Sequence, residues 1–130
     1  MSDPPPLVVV SGLPGVGKSR VSRLLADRLD AALVRTDVVR TDLFSDPQYT
    51  DEEVKRVYAA VRERARETLA RDGRAVLDGT YRRRRFREDV AVMAADCDID
   101  SVFVRVVCGE SVVRKRIAQR TDTASDAAFE

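Results

Sequence analysis

Leu7-Val8-Val9-Val10-Ser11-Gly12-Leu13-Pro14-Gly15-Val16-Gly17-Lys18-Ser19 is the stretch on which the fold turns. Four consecutive apolar residues suit a short strand covered on both faces, the habit of strands in parallel sheets. Gly12 to Ser19 then fits G-x-x-x-x-G-K-[ST] in full. Average residue frequencies make a chance match in a chain of this length about one in a hundred or less. The glycines let the backbone wrap closely and aim N–H groups at phosphate oxygens. A helix starting near Lys18 turns its unsatisfied N–H groups and positive dipole end on the anion. Lys18 reaches toward β- and γ-phosphates, and Ser19 offers a hydroxyl to Mg²⁺. Gly12, Leu13, Pro14, Gly15, Val16, Gly17, Lys18 and Ser19 are therefore the expected nucleotide-binding segment.

Working outward, strands alternate with helices. Val21, Leu24, Leu25 and Leu29 mark the apolar stripe of the helix after the loop. Ala32-Leu33-Val34 is a second strand, ending near Thr36-Asp37. Asp51 is placed to cap a long helix to about Asp72, with Val54, Val57, Tyr58, Val61, Ala65 and Leu69 facing inward and Gly73 as its stop. Ala75-Val76-Leu77 leads into Asp78-Gly79. Phe86, Val90, Met93, Ala94 and Cys97 mark a further helix, and Val102 to Val107 a fourth strand. A last helix is expected from about Glu110 to Arg120. This alternation predicts an α/β fold with a mainly parallel sheet covered on both faces. Ligands bind such sheets at the carboxyl ends of the strands, where Gly12, Asp37 and Asp78 gather.

Composition sets the bounds. The chain has 130 residues, room for one domain, with 44% hydrophobic and 35% charged residues. Residues 1–6 read as a disordered tail and 7–130 as the domain. The net charge of +1 gives no global argument for nucleic acid or acidic membranes. The absence of histidine excludes Ser-His-Asp and Cys-His machinery and histidine metal sites. Cys97 and Cys108 are too few for a disulfide framework or a four-cysteine zinc site, and both read as free thiols of a cytoplasmic protein. No apolar run approaches the ~20 residues of a membrane span.

Two carboxylates at strand ends are candidates for chemistry. Asp37 can take a proton from an attacking hydroxyl or cap the short helix from Val38 to Leu43. Arg40, one turn on, can orient the acceptor or grip a phosphate. Asp78 ends an apolar strand, the pattern of an acid that supports Mg²⁺. Arg82, Arg83, Arg84, Arg85 and Arg87 are read as the exposed first turn of a helix, partly neutralised by Glu88 and Asp89, with a nucleic-acid footprint as the sharper alternative. Arg116 and Arg120, one helical turn apart, can close on the transferred phosphoryl group. Asp46 to Tyr58 is, on position alone, the expected wall of the acceptor pocket.

Four segments in order resemble one family: Gly12 to Ser19, Thr36-Asp37-Val38-Val39-Arg40, Leu77-Asp78-Gly79-Thr80 and Arg116-Ile117-Ala118-Gln119-Arg120. The chain from about Leu7 to Arg120 resembles the P-loop kinases that include polynucleotide 5′-hydroxyl kinase, chloramphenicol phosphotransferase, zeta-toxin-type kinases and small bacterial kinase domains. The resemblance implies a three-layer α/β/α P-loop NTPase fold, with Asp37 as base, Arg40 at the acceptor or scissile phosphate, and Arg116 and Arg120 in a lid at about 110–125. Arg20 stands where many such kinases have threonine, so it either contacts phosphate or points away. Family members continue into a final strand that is not visible here, so the chain is expected to be truncated, the domain shortened, or the rest supplied by a partner. An uncovered sheet edge would then invite self-association.

The sequence thus predicts an ATP- and Mg²⁺-dependent kinase acting on a small-molecule hydroxyl. Its alternatives are a 5′-hydroxyl polynucleotide kinase and a nucleotide-binding module that acts through a partner without turnover. The expected set is Lys18, Asp37, Arg40, Arg116 and Arg120 for catalysis, Gly12 to Arg20 for the nucleotide, and Ser19 and Asp78 for the metal.

Overall fold

The structure, a computed structural model, describes residues 5–13 and 16–107. Pro14, Gly15, Cys108 and the Arg116/Arg120 pair of the expected lid lie outside the described residues. Eight elements alternate between strand and helix except for two successive helices after the second strand: β1 (Leu7–Ser11), α1 (Lys18–Leu29), β2 (Ala32–Arg35), α2 (Thr36–Leu43), α3 (Asp51–Ala70), β3 (Ala75–Gly79), α4 (Arg84–Asp96) and β4 (Ser101–Arg105). Among the described residues the sheet has four strands in the order β2-β3-β1-β4. All three pairings are parallel. No described helix is long and apolar enough to cross a membrane.

The pleat sorts side chains between two faces. Val8, Val10 and Val76 pack against Ala26 of α1, with Val21, Leu25 and Leu29 alongside. Leu7, Val9 and Leu77 point the other way, into a larger cluster with Val54, Val57, Tyr58, Val61 and Ala65 of α3 and Phe86, Val90 and Met93 of α4. The layers are therefore α/β/α, as the alternation predicts. β1 is buried from Leu7 to Val10 and β3 throughout, which is why both read as unbroken apolar runs.

Several local expectations need correction. Leu24 is half exposed, and the inward face of α1 uses Ser22 and Ala26 instead. Thr50, not Asp51, caps α3, its hydroxyl accepting from the Glu53 N–H at 3.2 Å. Asp51 is the first helical residue and pairs with Arg83 at 2.7 Å. The long helix ends at Ala70, and Asp72 takes the left-handed turn at φ 60°. Asp37 is not a cap either: α2 begins one residue earlier, at Thr36, with Arg35 in the cap position. β4 ends at Arg105, short of Val107.

Candidate nucleotide and phosphoryl-transfer site

The sheet register fixes the site. Ser11 stands opposite Gly79 on one side and Arg105 on the other, while Arg35 stands opposite Asp78. Phosphate loop, β2 end and β3 end thus share one rim. Gly17 adopts φ 91° as the N-cap of α1, a left-handed conformation that a side chain would strain. A Cβ on Gly12 would lie 2.7 Å from the Val106 carbonyl oxygen and 2.9 Å from Val16 Cγ2. Both glycines are thus required by backbone geometry, independently of phosphate.

Lys18, in the first turn of α1, turns back along the loop. Its Nζ donates to the Gly12 carbonyl at 3.2 Å and sits 3.7 Å from Asp78 Oδ1. Burial lowers its pKa below the usual lysine value, while the Asp78 and Asp37 carboxylates oppose that shift. Arg20 is exposed on α1.

Asp78 is 3% exposed and collects three partners. Besides Lys18, Ser22 Oγ donates to its Oδ2, and Arg35 Nε lies 3.8 Å from the same oxygen. Arg35 also donates from Nη2 to Ser19 Oγ at 2.9 Å. Arg35 therefore bridges Ser19 and Asp78, both of which are hard oxygen donors suited to Mg²⁺. Among the described residues no group of three or more carboxylates or cysteines is placed to hold a metal. An ion at this position would complete its shell with nucleotide oxygens and water, the usual habit of Mg²⁺.

Asp37 differs in every respect. Its side chain is 52% exposed in the first turn of α2, with Arg40 Nη1 3.9 Å away. Arg40 itself is 1% exposed and lies over the Tyr49 ring, 4.6 Å from its centroid. The residue expected to meet the acceptor is thus roofed by an aromatic ring.

An aromatic cluster supports the β3 turn from behind. The Tyr58 ring stacks on Phe86 at 4.3 Å and meets the Tyr81 edge at 4.9 Å. Tyr58 Oη bonds Thr80 Oγ1 at 3.2 Å and accepts the Tyr81 N–H at 3.2 Å. Tyr58 is therefore a core residue, not a pocket wall. A cavity of about 1130 Å³ lies between the phosphate loop, the β3–α4 turn and β4, with Ser11, Thr80, Tyr81 and Phe103 in its lining. Arg82, Arg84, Arg87 and Arg105 border it. Much of the basic run is already engaged, as a solvated first turn should be. Arg84 pairs with Glu88 at 3.4 Å, and Arg87 Nη1 donates to the Tyr81 carbonyl at 2.6 Å and the Arg82 carbonyl at 2.9 Å.

Sequence reasoning missed Ser22 and Arg35. Ser22 had a signal: a hydroxyl one turn after Lys18, on the inward side of an amphipathic helix, needs a buried partner. Arg35 had a weaker one, a charge directly after the apolar Leu33-Val34.

A parallel sheet in this order, with a glycine loop leading into α1 and a carboxylate ending β3, is the fold of P-loop kinases. The adenosine phosphosulfate kinase CysC of Mycobacterium tuberculosis, solved with AMPPNP and APS, superposes with a TM-score of 0.74 at 22% identity, over 95% of this chain and 75% of that one. A chain of the Pnkp1/Rnl/Hen1 RNA repair complex superposes with a TM-score of 0.77 at 22% identity, over 95% of this chain and 40% of that one. The chain belongs to the AAA_33 family, an AAA domain, whose model matches residues 7–130. Uncharacterized proteins of Mycobacterium tuberculosis and Mycobacterium bovis are 30% identical over 136 residues, covering 95% of this chain. The chain spans about a quarter of the length of these curated relatives, 27%.

Proposed function

We propose that this domain is a kinase that moves the γ-phosphoryl group of ATP to a hydroxyl of a small-molecule acceptor. One observation carries the reading: at the strand ends Lys18 pairs with Asp78 and Arg35 ties Asp78 to Ser19, and the exposed carboxylate of Asp37 stands two residues past Arg35.

In this reading the phosphate loop, Gly12 to Ser19, cradles the nucleotide through its backbone N–H groups. Lys18 neutralises β- and γ-oxygens. Ser19 and Asp78 would hold Mg²⁺, which supplies Lewis-acid charge neutralisation at the phosphate oxygens when bound. The acceptor oxygen forms the new bond to the γ-phosphorus as the bond to the bridging oxygen of ADP breaks. Asp37 takes the hydroxyl proton, its exposure leaving it open to an acceptor from solvent. Arg40 orients Asp37 from below, and Arg116 and Arg120 are assigned the closing role over the phosphoryl group.

A polynucleotide acceptor is the second reading, favoured by the four arginines bordering the cavity. Oligonucleotide binding that weakens steeply with salt would select it. Calorimetric titration of the chain with ATP and Mg²⁺, beside Lys18→Ala, tests the nucleotide site. The variant should lose at least about tenfold in affinity, about 1.4 kcal/mol. Equal affinity in both proteins would remove the basis for a kinase. A screen of hydroxyl acceptors with Asp37→Asn as control then tests transfer.

A further inference from the structure

Arg35 bridges the side chains of the two residues assigned to the metal, whereas Ser22, which also bonds Asp78, reaches only the backbone carbonyl of Ser19. It ends β2, opposite Asp78 in the sheet register. Its Nη2 donates to Ser19 Oγ at 2.9 Å, and its Nε lies 3.8 Å from Asp78 Oδ2. Its side chain is largely buried, with 22% of its surface exposed. A planar guanidinium spans two such groups in a way a lysine ammonium does not.

The Ser19 contact is the informative one. A hydroxyl oxygen that accepts from a guanidinium spends on it electron density that a cation would need. The Asp78 carboxylate is likewise engaged by Arg35, Lys18 and Ser22 together. A divalent ion arriving here meets two positive side chains already paired with its ligands, and like charges at this range repel. We infer that Arg35 is a resident cation of the metal site: it ties Ser19 to Asp78, and a divalent cation must displace it. A cation site of this kind stays closed to free metal and opens to metal that comes with a nucleotide, whose phosphate oxygens supply the missing ligands.

The inference rests on the assignment of Ser19 and Asp78 to Mg²⁺, and its test separates the two. Mn²⁺ alone, followed by water-proton relaxation, is titrated into the full chain as wild type, Arg35→Gln, Arg35→Lys and Arg23→Gln. Arg23 is an exposed α1 arginine and controls for lost charge. Arg35→Gln should bind Mn²⁺ at least about fivefold tighter than wild type, the low end of ordinary coupling between competing ligands. Arg35→Lys should fall between them, and it carries the test with the same sign if the glutamine variant does not fold. Arg23→Gln should match wild type. An Arg35→Gln protein that is folded yet binds Mn²⁺ no tighter than wild type overturns the inference, and so does the absence of measurable binding in both. A second arm reads the Mg²⁺ midpoint for ADP binding, which should fall by a similar factor in Arg35→Gln. If ADP binds to none of the proteins while Mn²⁺ binding still tightens, the kinase reading fails and the resident cation stands. If ADP binds normally while neither cation measurement moves, the reverse holds.

Discussion

Two carboxylates end up near the same lysine in opposite circumstances. Asp78 is buried, fixed by Lys18, Ser22 and Arg35, and immobile by construction. Asp37 is half exposed, with Arg40 3.9 Å away. The first arrangement suits a fixed negative charge that orders cations. The second suits a group that must meet a molecule from solvent and take its proton. Fold topology explains the difference: β3 is an interior strand of the sheet, whereas Asp37 lies in the first turn of a helix after the edge strand β2.

Experiments that treat the two acids differently can break this contrast. The largest effect is expected on turnover. Asp37→Asn should lower the rate of phosphoryl transfer by about 10²- to 10⁴-fold, the usual contribution of a general base. Its melting temperature should stay close to wild type, because an exposed surface substitution costs little. A matching loss of stability would mean that Asp37 is structural. Asp78→Ala should lose stability as well as turnover, costing about 3 kcal/mol in urea unfolding because Lys18 and Arg35 lose their buried counter-charge. An unchanged unfolding midpoint would show that the three-partner cluster contributes nothing to folding.

Gly79 links the two regions. A Cβ there would lie 2.8 Å from Thr36 Cγ2, 3.1 Å from the Tyr81 ring and 3.2 Å from Tyr58 Oη. Gly79→Ala should cost about 1–3 kcal/mol by overpacking. It should also push Thr36, and Asp37 beside it, away from β3, so ATP affinity and transfer rate should separate in this variant. Equal losses in both would place the disturbance elsewhere.

The smallest effect sharpens the interior side. Tyr81 is buried, and its hydroxyl has no hydrogen-bond partner among the described residues. Burial raises its pKa above the usual tyrosine range. An unfolded tyrosine loses its proton near pH 10 while the folded one keeps it, so this residue withdraws stability as pH rises past about 10. Tyr81→Phe should be about 1 kcal/mol more stable at neutral pH, and its lead over wild type should widen above pH 10. A less stable phenylalanine variant would show that the hydroxyl is bonded in solution.

Much of this was legible in the sequence because parallel strands and phosphate loops leave strong local marks. Leu7 to Val10 and Ala75 to Leu77 are apolar on both faces, and the glycines at 12 and 17 are demanded by backbone geometry. Asp37 and Asp78 were placed by the rule that strand ends converge. What stayed hidden depends on contacts between distant segments. Arg35 is one of 20 arginines, and nothing local separates it from those that cover the surface. Arg40 was readable as a candidate site residue but not as a buried one, since its burial depends on Tyr49 folding back over it. Tyr58 was correctly read as an inward helix position, yet its polar atom joins Thr80 and Tyr81, which no helix pattern announces.

The register of β1 has a consequence for how the chain is made. Leu7 pairs with Ala75 on one side and with Ser101 on the other. The strand that carries the phosphate loop leaves the ribosome before either of its sheet neighbours and has none until β3 emerges. Such non-local pairing slows folding and leaves an apolar strand waiting in the open. The loop that reads as the chain's most definite feature is therefore among the last to take its shape. Nascent chains stalled before residue 79 should expose Leu7 to Val10 to chaperones, and full-length ones should not.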